Sequence, residues 1–171
     1  YISAMISLKL DNLQQEIKPQ PKIIADFLAK IEKHNQGFYK ILDDKKTLEK
    51  ILKFAKSIKG KYKSIVVLGI GGSALGTICL QQSLKHLFGD ELYVFDNIDP
   101  IIFSELEDVI DYKKTLFIIV TKSGGTPETL AQYFYFRNKT DSRKLDAKKH
   151  FIFITDPKKG FSEPSPPKKT S

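Results

Sequence analysis

The 171-residue sequence has one cysteine, Cys79, one methionine and no tryptophan. A single cysteine excludes a disulfide framework within the chain and argues against a cysteine-based metal site. Long apolar runs are missing too, since a stretch such as residues 116–120 is far shorter than the ~20 residues that a bilayer core requires. The N-terminus also lacks the pattern of a secretory signal. These absences predict a cytoplasmic protein that neither spans a membrane nor binds a metal ion.

Arginine is scarce as well, with only Arg137 and Arg143 among the 28 basic residues. The net charge of +8 arises in residues 18–63, which hold 13 lysines and 5 acidic residues. Residues 69–138, in contrast, hold 5 basic and 9 acidic residues. Base readout and bidentate phosphate clamping favour arginine. We therefore expect a solvated lysine-rich surface and no nucleic-acid partner, with a lysine-rich binding module as a competing interpretation.

The first 60 residues have the periodicity of helices. Apolar residues recur at three- and four-residue spacings in two sets: Ile23, Ile24, Phe27, Leu28 and Ile31, then Leu48, Ile51, Leu52, Ala55 and Ile58. Each set forms one face of a helix. Asp43 or Asp44 can cap the second helix, and Gly60 can end it in a left-handed conformation.

A different pattern begins at Ser64, where four short apolar runs alternate with helical stretches. The runs are Ile65–Leu68, Leu92–Phe95, Leu116–Val120 and Phe151–Ile154. Such runs are typical of a parallel sheet that helices cover on both faces. The first intervening helix is predicted over residues 73–88, and the next two begin with an N-cap and a proline at Asp99-Pro100 and Thr126-Pro127. The sequence thus predicts an α/β fold with a doubly wound parallel sheet after an N-terminal helical segment.

Three segments follow from this pattern. Residues 1–62 form the helical lead-in, and residues 63–160 form the α/β domain. Residues 161–171, rich in serine, proline and lysine, have the composition of a disordered tail.

Two loops at the carboxyl ends of predicted strands carry the candidate chemistry. The first, residues 69–73, is called the glycine loop. The second, residues 121–126, is called the hydroxyl loop, and its glycines Gly124 and Gly125 let the backbone approach an anion closely. Hydroxyl groups surround these glycines, at Thr121, Ser123, Thr126 and Thr129. Because a helix start adds its unbonded N–H groups and dipole, the hydroxyl loop predicts a phosphate site.

The glycine loop allows two interpretations besides simple packing. Gly69-x-Gly71-x-x-Ala74 fits a dinucleotide fingerprint in its alanine variant, and Asp96 could then bind the ribose. A nicotinamide-binding half of an oxidoreductase is therefore a competing hypothesis. No Gly-x4-Gly-Lys-Ser/Thr motif is present, which disfavours hydrolysis of nucleoside triphosphates.

The residues of the two loops together resemble a known family. Gly69-Ile70-Gly71-Gly72-Ser73 after one strand, and Lys122-Ser123-Gly124-Gly125-Thr126-Pro127-Glu128-Thr129 after another, resemble the sugar isomerase (SIS) domain. The pair, with Leu75-Gly76, is similar to the phosphoglucose isomerase family over about residues 18–160. The resemblance implies a SIS-type, flavodoxin-like fold and interconversion of glucose 6-phosphate and fructose 6-phosphate, with no cofactor.

The resemblance also implies roles for individual residues. Gly72 and Ser73 would face the sugar, and the phosphate would lie among Thr121, Lys122, Ser123, Thr126 and Thr129. Three positions depart from the family pattern, which often has Ser at Thr121, Thr at Gly125 and a larger residue at Ala74. The second departure removes one hydroxyl from the phosphate site.

The family's catalytic base is a glutamate, assisted by a histidine and by an arginine of a Gly-Gly-Arg stretch. No motif of this chain matches them, so no catalytic residue is assigned. His150 is expected at the surface or an edge, and His34 and His86 on helices. The resemblance thus implies an N-terminal portion that binds the sugar phosphate without turning it over alone, and a homodimer as its assembly. A non-catalytic SIS module that binds a phosphosugar is the alternative.

Overall fold

The computed structural model describes residues 21–34, 41–88 and 91–156. The helices are α1 (Pro21–Lys33), α2 (Lys45–Ile58), α3 (Gly72–Phe88), α4 (Pro100–Val109), α5 (Pro127–Ser142) and α6 (Ala147–His150). The strands are β1 (Ser64–Leu68), β2 (Leu92–Phe95), β3 (Thr115–Thr121) and β4 (Phe151–Thr155). All four predicted strands are confirmed, and each predicted end lies within one residue of the observed end.

The four strands form one parallel sheet in the order β2-β1-β3-β4. The chain steps from β1 to β2 in one direction, and from β2 to β3 and β4 in the other. Since crossovers between parallel strands are right-handed, α3 lies on one face of the sheet and α4 and α5 on the opposite face. The predicted doubly wound α/β fold with an N-terminal helical segment is confirmed. The order of the strands reverses between β1 and β3.

The main core lies between the sheet and the helices α4 and α5. Val66 of β1 and Phe117 of β3 face Phe103 of α4 and Phe136 of α5, and all four are buried. The Phe117 ring stacks on Phe136 and on Phe151 with centroid separations of 5.0 Å in both pairs. Aromatic pairs of this kind contribute about 0.5–1.5 kcal/mol beyond their buried area. This packing fixes β3 at the centre of the fold.

Local signals at the helix ends act largely as predicted. Asp44 accepts a hydrogen bond from the N–H of Thr47 at 3.0 Å, at the start of α2. Gly60 follows α2 with φ +77°, the left-handed conformation expected of a terminating glycine. Asp99 caps α4 by accepting from the N–H of Ile101 at 2.8 Å, directly before Pro100. These caps satisfy backbone groups that a helix end leaves unbonded.

The chain divides into two compact units, residues 1–54 and 55–171. In the first unit, most apolar residues of α1 and of the start of α2 are exposed, with Phe27 at 62%. The proposed segments 1–62 and 63–160 stay predictions, and the predicted tail 161–171 lies outside the described residues. Within the described ranges, no helix is both long and apolar enough to cross a membrane.

A polar cluster joins α4 to α5 on the second unit. The Glu107 carboxylate accepts from Lys139 Nζ at 3.0 Å and from Tyr112 Oη at 3.2 Å. Burial acts to raise the pKa of Glu107, but the hydrogen bonds from Lys139, Tyr135 and Tyr112 and the charge of Lys139 outweigh it, so this pKa lies below its usual value. Burial also raises the pKa of Tyr112, and the Glu107 charge adds to that rise.

Candidate functional site

The glycine loop and the hydroxyl loop leave the sheet from neighbouring strands. β1 and β3 pair in parallel up to Leu68 and Ile119, so their carboxyl ends lie at the same edge. The strand order reverses at this point, and ligands of open α/β sheets bind at such reversals. The fold therefore brings together the two loops that the sequence singled out separately.

The hydroxyl loop is a tight turn held by its own side chains. Gly124 has φ +71°, a left-handed conformation that glycine adopts without strain. The N–H of Gly124 donates to Thr121 Oγ1 at 3.2 Å, and the N–H of Gly125 donates to Ser123 Oγ at 3.3 Å. A Cβ atom at Gly125 would meet no atom within 4 Å. The backbone at Gly125 is therefore open to the approach of a ligand.

The predicted start of α5 at Thr126-Pro127 is confirmed, but the expected capping by the Thr126 side chain is not observed. Thr126 occupies the N-cap position and Pro127 follows it, but the Thr126 side chain makes no capping hydrogen bond. Its hydroxyl lies 3.5 Å from the Thr121 hydroxyl instead. The first turn of α5 thus keeps N–H groups that Thr126 does not satisfy, and the helix dipole adds positive potential there. Such a helix start is suited to an anion.

Thr129 lies in the first turn of α5 with only 1% of its surface exposed. Its Oγ1 atom has no hydrogen-bond partner within the part of the chain that the structure describes. A buried hydroxyl without a partner costs about 1–3 kcal/mol, so it calls for an explanation. Lys122 and Ser123, in contrast, are exposed on the hydroxyl loop. The site thus combines a buried hydroxyl with an accessible cation.

The glycine loop leads into α3, and its carbonyl oxygens accept hydrogen bonds from the start of that helix. Gly71 has φ +58°, and the N–H groups of Ser73, Ala74 and Leu75 donate to carbonyl oxygens within the loop at 2.9–3.2 Å. Gly72 is exposed, and a Cβ atom there would meet nothing within 4 Å. The backbone is therefore open at Gly72, whereas the N–H groups of the next three residues are already bonded.

This difference between the loops bears on the dinucleotide alternative. A pyrophosphate at the glycine loop would need N–H groups at the start of α3, where three are already bonded within the loop. The start of α5 lacks the side-chain cap, so the geometry favours an anion at the hydroxyl loop. Asp96, the expected ribose ligand of that alternative, is exposed after β2.

Sequence reasoning missed two polar residues near these loops. Thr155 of β4 pairs in register with Thr121, and its Oγ1 is buried without a partner among the described residues. Gln132 of α5 is completely buried and bonds to the backbone after β2. The alignment of the two strand ends could have indicated Thr155. The three-residue spacing from Thr129 could have indicated Gln132, because it places both on one helix face.

His150 was expected at the surface or an edge; it directly precedes β4, an edge strand of the sheet, but it is not a surface residue. His150 is 7% exposed, and its Nδ1 atom lies 2.8 Å from the carbonyl oxygen of Thr115. Its ring also contacts Tyr62 edge-on, with centroids 6.2 Å apart. His150 precedes β4, so it lies at the amino ends of the strands, opposite the candidate site. His34 is exposed, and the side chain of His86 lies outside the described residues.

The described ranges contain no group of three or more His, Cys, Asp or Glu side chains that could hold a metal ion. Cys79 is exposed on α3. The chemistry of the candidate site therefore rests on hydroxyls, backbone N–H groups and Lys122.

Comparison with known proteins identifies the family to which this chain is similar. A family model described as phosphoglucose isomerase matches residues 23–163. Glucose-6-phosphate isomerase of Carboxydothermus hydrogenoformans is 40% identical over 153 residues, which cover 80% of this chain and 32% of that protein. A probable glucose-6-phosphate isomerase of Methanococcus maripaludis is 32% identical over 152 residues, with 86% and 33% covered. The chain thus spans about a third of the length of these relatives.

Two solved structures have a similar fold, and one of them is a glucose-6-phosphate isomerase. A glucose-6-phosphate isomerase from Chlamydia trachomatis superposes with a TM-score of 0.57 at 30% identity, covering 61% of this chain and 21% of that one. A hypothetical protein from Thermus thermophilus superposes with a TM-score of 0.71 at 28% identity, covering 81% and 34%.

Proposed function

The chain belongs to the phosphoglucose isomerase family, and on that premise we propose that it binds the sugar phosphate of an aldose–ketose isomerase. The substrates are glucose 6-phosphate and fructose 6-phosphate. One observation carries this proposal for the chain itself, namely the hydroxyl loop beside the uncapped start of α5. It lies where the strand order reverses, the usual position of a ligand in such sheets.

The phosphate belongs at the hydroxyl loop in this proposal. Thr121, Ser123 and Thr126 supply hydroxyls, and Gly124 and Gly125 give the anion access to the backbone. Lys122 adds the positive charge, and Thr129 gains the partner that its buried hydroxyl lacks. Gly72 and Ser73 of the glycine loop face the sugar. The proposed binding segment is residues 63–160, after a helical lead-in at residues 1–62.

Turnover requires more than this binding site. Aldose–ketose isomerisation opens the ring and moves a proton between C2 and C1 through a cis-enediol. A positioned base supplies about 10²–10⁴-fold of the rate. The family resemblance assigns that base to a glutamate that no motif of this chain matches. We therefore expect the purified 171-residue chain to bind phosphosugars without isomerising them, and a homodimer to be the assembly of the active enzyme in the cytoplasm.

Ligand titration tests the binding proposal directly. The melting temperature of the purified chain is followed with fructose 6-phosphate, inorganic phosphate and NAD at one fixed ionic strength. A ligand at 100 times its dissociation constant stabilises the folded state by about 2.7 kcal/mol. Stabilisation by fructose 6-phosphate and not by NAD is the expected result. Stabilisation by NAD alone would support the dinucleotide alternative and overturn the proposal.

A matched pair of serine variants locates the site. Ser123 lies in the hydroxyl loop, whereas Ser142 ends the same helix that the loop precedes and bonds to the Lys139 carbonyl at 2.9 Å. We expect Ser123→Ala to weaken fructose 6-phosphate binding about 10- to 100-fold, as for one lost hydrogen bond to a charged group. Ser142→Ala is the control, with unchanged affinity. Equal loss in both variants would place the phosphate elsewhere.

A coupled assay that starts from fructose 6-phosphate tests the expectation on turnover. Any glucose 6-phosphate that forms is oxidised by an added dehydrogenase, which reduces a nicotinamide nucleotide. If the chain binds fructose 6-phosphate but forms no product, the result supports a portion that binds the substrate without turning it over. Robust isomerisation by the purified chain would show that a base is present and would overturn that expectation.

A further inference from the structure

Gln132 connects α5 to the backbone that leaves β2. The side chain is completely buried. Its Nε2 atom donates to the carbonyl oxygen of Phe95 at 3.2 Å and to that of Asn97 at 2.9 Å. Two acceptors on one side fix the orientation of the amide, because only its NH₂ end can face both. Both donor hydrogens are thus used on one short stretch of backbone.

The same stretch also holds the glycine loop. The carbonyl oxygen of Phe95 accepts a second hydrogen bond, at 3.1 Å, from the N–H of Gly69. Gly69 in turn lies close to β3, since a Cβ atom there would be 3.0 Å from the Val120 carbonyl oxygen. The Gln132 amide therefore joins the helix that begins at the hydroxyl loop to the anchor of the glycine loop.

Stability alone does not account for an amide at this position. Its Oε1 atom is buried and has no hydrogen-bond partner among the residues that the structure describes, which carries a desolvation cost. The nearest buried positions of α5 are Thr129, Tyr133 and Phe136, of which two are aromatic. An apolar side chain would avoid the cost of the unpaired Oε1, so the geometry points to a use for the two donors.

We propose that Gln132 is a positioning residue that holds the glycine loop at a fixed distance from the hydroxyl loop. This inference rests on the proposed function, in which the glycine loop faces the sugar and the hydroxyl loop binds the phosphate. The affinity for a whole sugar phosphate then depends on Gln132. The affinity for inorganic phosphate, which contacts only the hydroxyl loop, does not.

The chain offers a matched control in Gln81 of α3. Its Nε2 atom donates to the carbonyl oxygen of Leu92, on the same strand β2, but at the amino end of that strand. Met has nearly the same shape as Gln and no donor. Gln132→Met and Gln81→Met thus each remove glutamine hydrogen bonds to the β2 segment. Only Gln132→Met removes the connection between α5 and the backbone that holds the glycine loop.

Dissociation constants for fructose 6-phosphate and inorganic phosphate are measured by calorimetry for the wild type and both variants. We expect Gln132→Met to weaken fructose 6-phosphate binding about tenfold, as for one or two lost neutral hydrogen bonds. Its phosphate affinity stays within about twofold, and Gln81→Met changes neither constant. The positioning role would be overturned if Gln132→Met lost affinity equally for both ligands or for neither. It would also be overturned if Gln81→Met showed the same selective loss of fructose 6-phosphate affinity.

The proposed function can fail separately from this inference. A wild-type chain that binds no phosphosugar overturns both, whereas a binding wild type with an unchanged Gln132→Met overturns only the role of Gln132. If Gln132→Met folds poorly, a measurement on the wild type tests the same proposal. The side-chain NH₂ resonances of Gln132 are expected to shift with fructose 6-phosphate and not with inorganic phosphate, and the absence of any shift with fructose 6-phosphate contradicts the proposal.

Discussion

Gly69 of the glycine loop packs closely against β3 and against the start of α3. A Cβ atom at this position would lie 3.0 Å from the Val120 carbonyl oxygen and 3.0 Å from the Ser73 Cβ atom. The first contact is with backbone of the central strand, which cannot move without disturbing the sheet. The need for glycine here is therefore one of space, whereas Gly71 and Gly124 are needed for their positive φ angles.

Substitution of Gly69 by alanine is expected to lower the free energy of unfolding by about 1–3 kcal/mol, as for other overpacked sites. Gly76 of α3 is the control, since a Cβ atom there meets nothing within 4 Å. Gly76→Ala should stabilise the chain by about 0.5–1 kcal/mol, because alanine favours the helix. Urea unfolding of both variants measures the difference. A neutral Gly69→Ala would mean that β3 and α3 can separate at little cost.

At the scale of elements, α4 and α5 both begin with an N-cap residue followed by proline, but the two N-cap side chains make different contacts. Asp99 caps α4 with its carboxylate, and Pro100 follows. Thr126 stands in the same place before Pro127 but directs no capping bond into α5. Its hydroxyl lies near Thr121 of β3 instead. A helix that is already capped has little to offer an anion, whereas α5 keeps its first N–H groups available.

This contrast predicts unequal effects on stability. Asp99→Ala is expected to lower the free energy of unfolding by about 1 kcal/mol, the usual value of an N-cap. Thr126→Ala should cost less than about 0.5 kcal/mol without ligand, because it removes no cap. Thermal unfolding of the two variants in a buffer free of phosphate compares them. A loss in Thr126→Ala as large as that in Asp99→Ala would contradict the observed cap geometry.

At the scale of the whole molecule, acid stability depends on the contact between α4 and α5. Glu107 links the two helices through Lys139, with N···O 3.0 Å, and through Tyr112. The pKa of Glu107 lies below its usual value of 4.5 when the chain is folded. The ionised form is thus favoured by folding. Its stabilising contribution is complete above pH 4.5 and is lost as the pH falls through the lower, folded pKa.

We expect Glu107→Gln to lower the free energy of unfolding by about 1–2 kcal/mol at pH 7, as for hydrogen bonds to a charged group. The difference from the wild type should shrink as the pH is taken below 4.5. Glu105, exposed on the same helix, provides the control variant Glu105→Gln. Denaturant unfolding at a series of pH values measures the three curves. A difference that stays constant with pH would show that the charge of Glu107 does not stabilise the fold.

Much of this architecture follows from the sequence because its signals are local. Short apolar runs, period-3.6 patterns, a proline after an N-cap and a glycine after a helix each depend on a few neighbouring residues. They were enough for all four strands, for the caps at Asp44 and Asp99 and for the end of α2 at Gly60. The two loops were also identifiable, because glycines and hydroxyls after apolar runs are local features.

What the tertiary structure alone decided is how distant segments meet. The strand order places β1 beside β3, so that the glycine loop and the hydroxyl loop share one edge. His150, expected at the surface or an edge, is buried against the Thr115 carbonyl. The Thr126 hydroxyl lies near Thr121 and does not cap α5. Gln132 gained its role from a carbonyl 35 residues away in sequence. Such pairings depend on strand order and packing between remote elements, and no local pattern of residues encodes them.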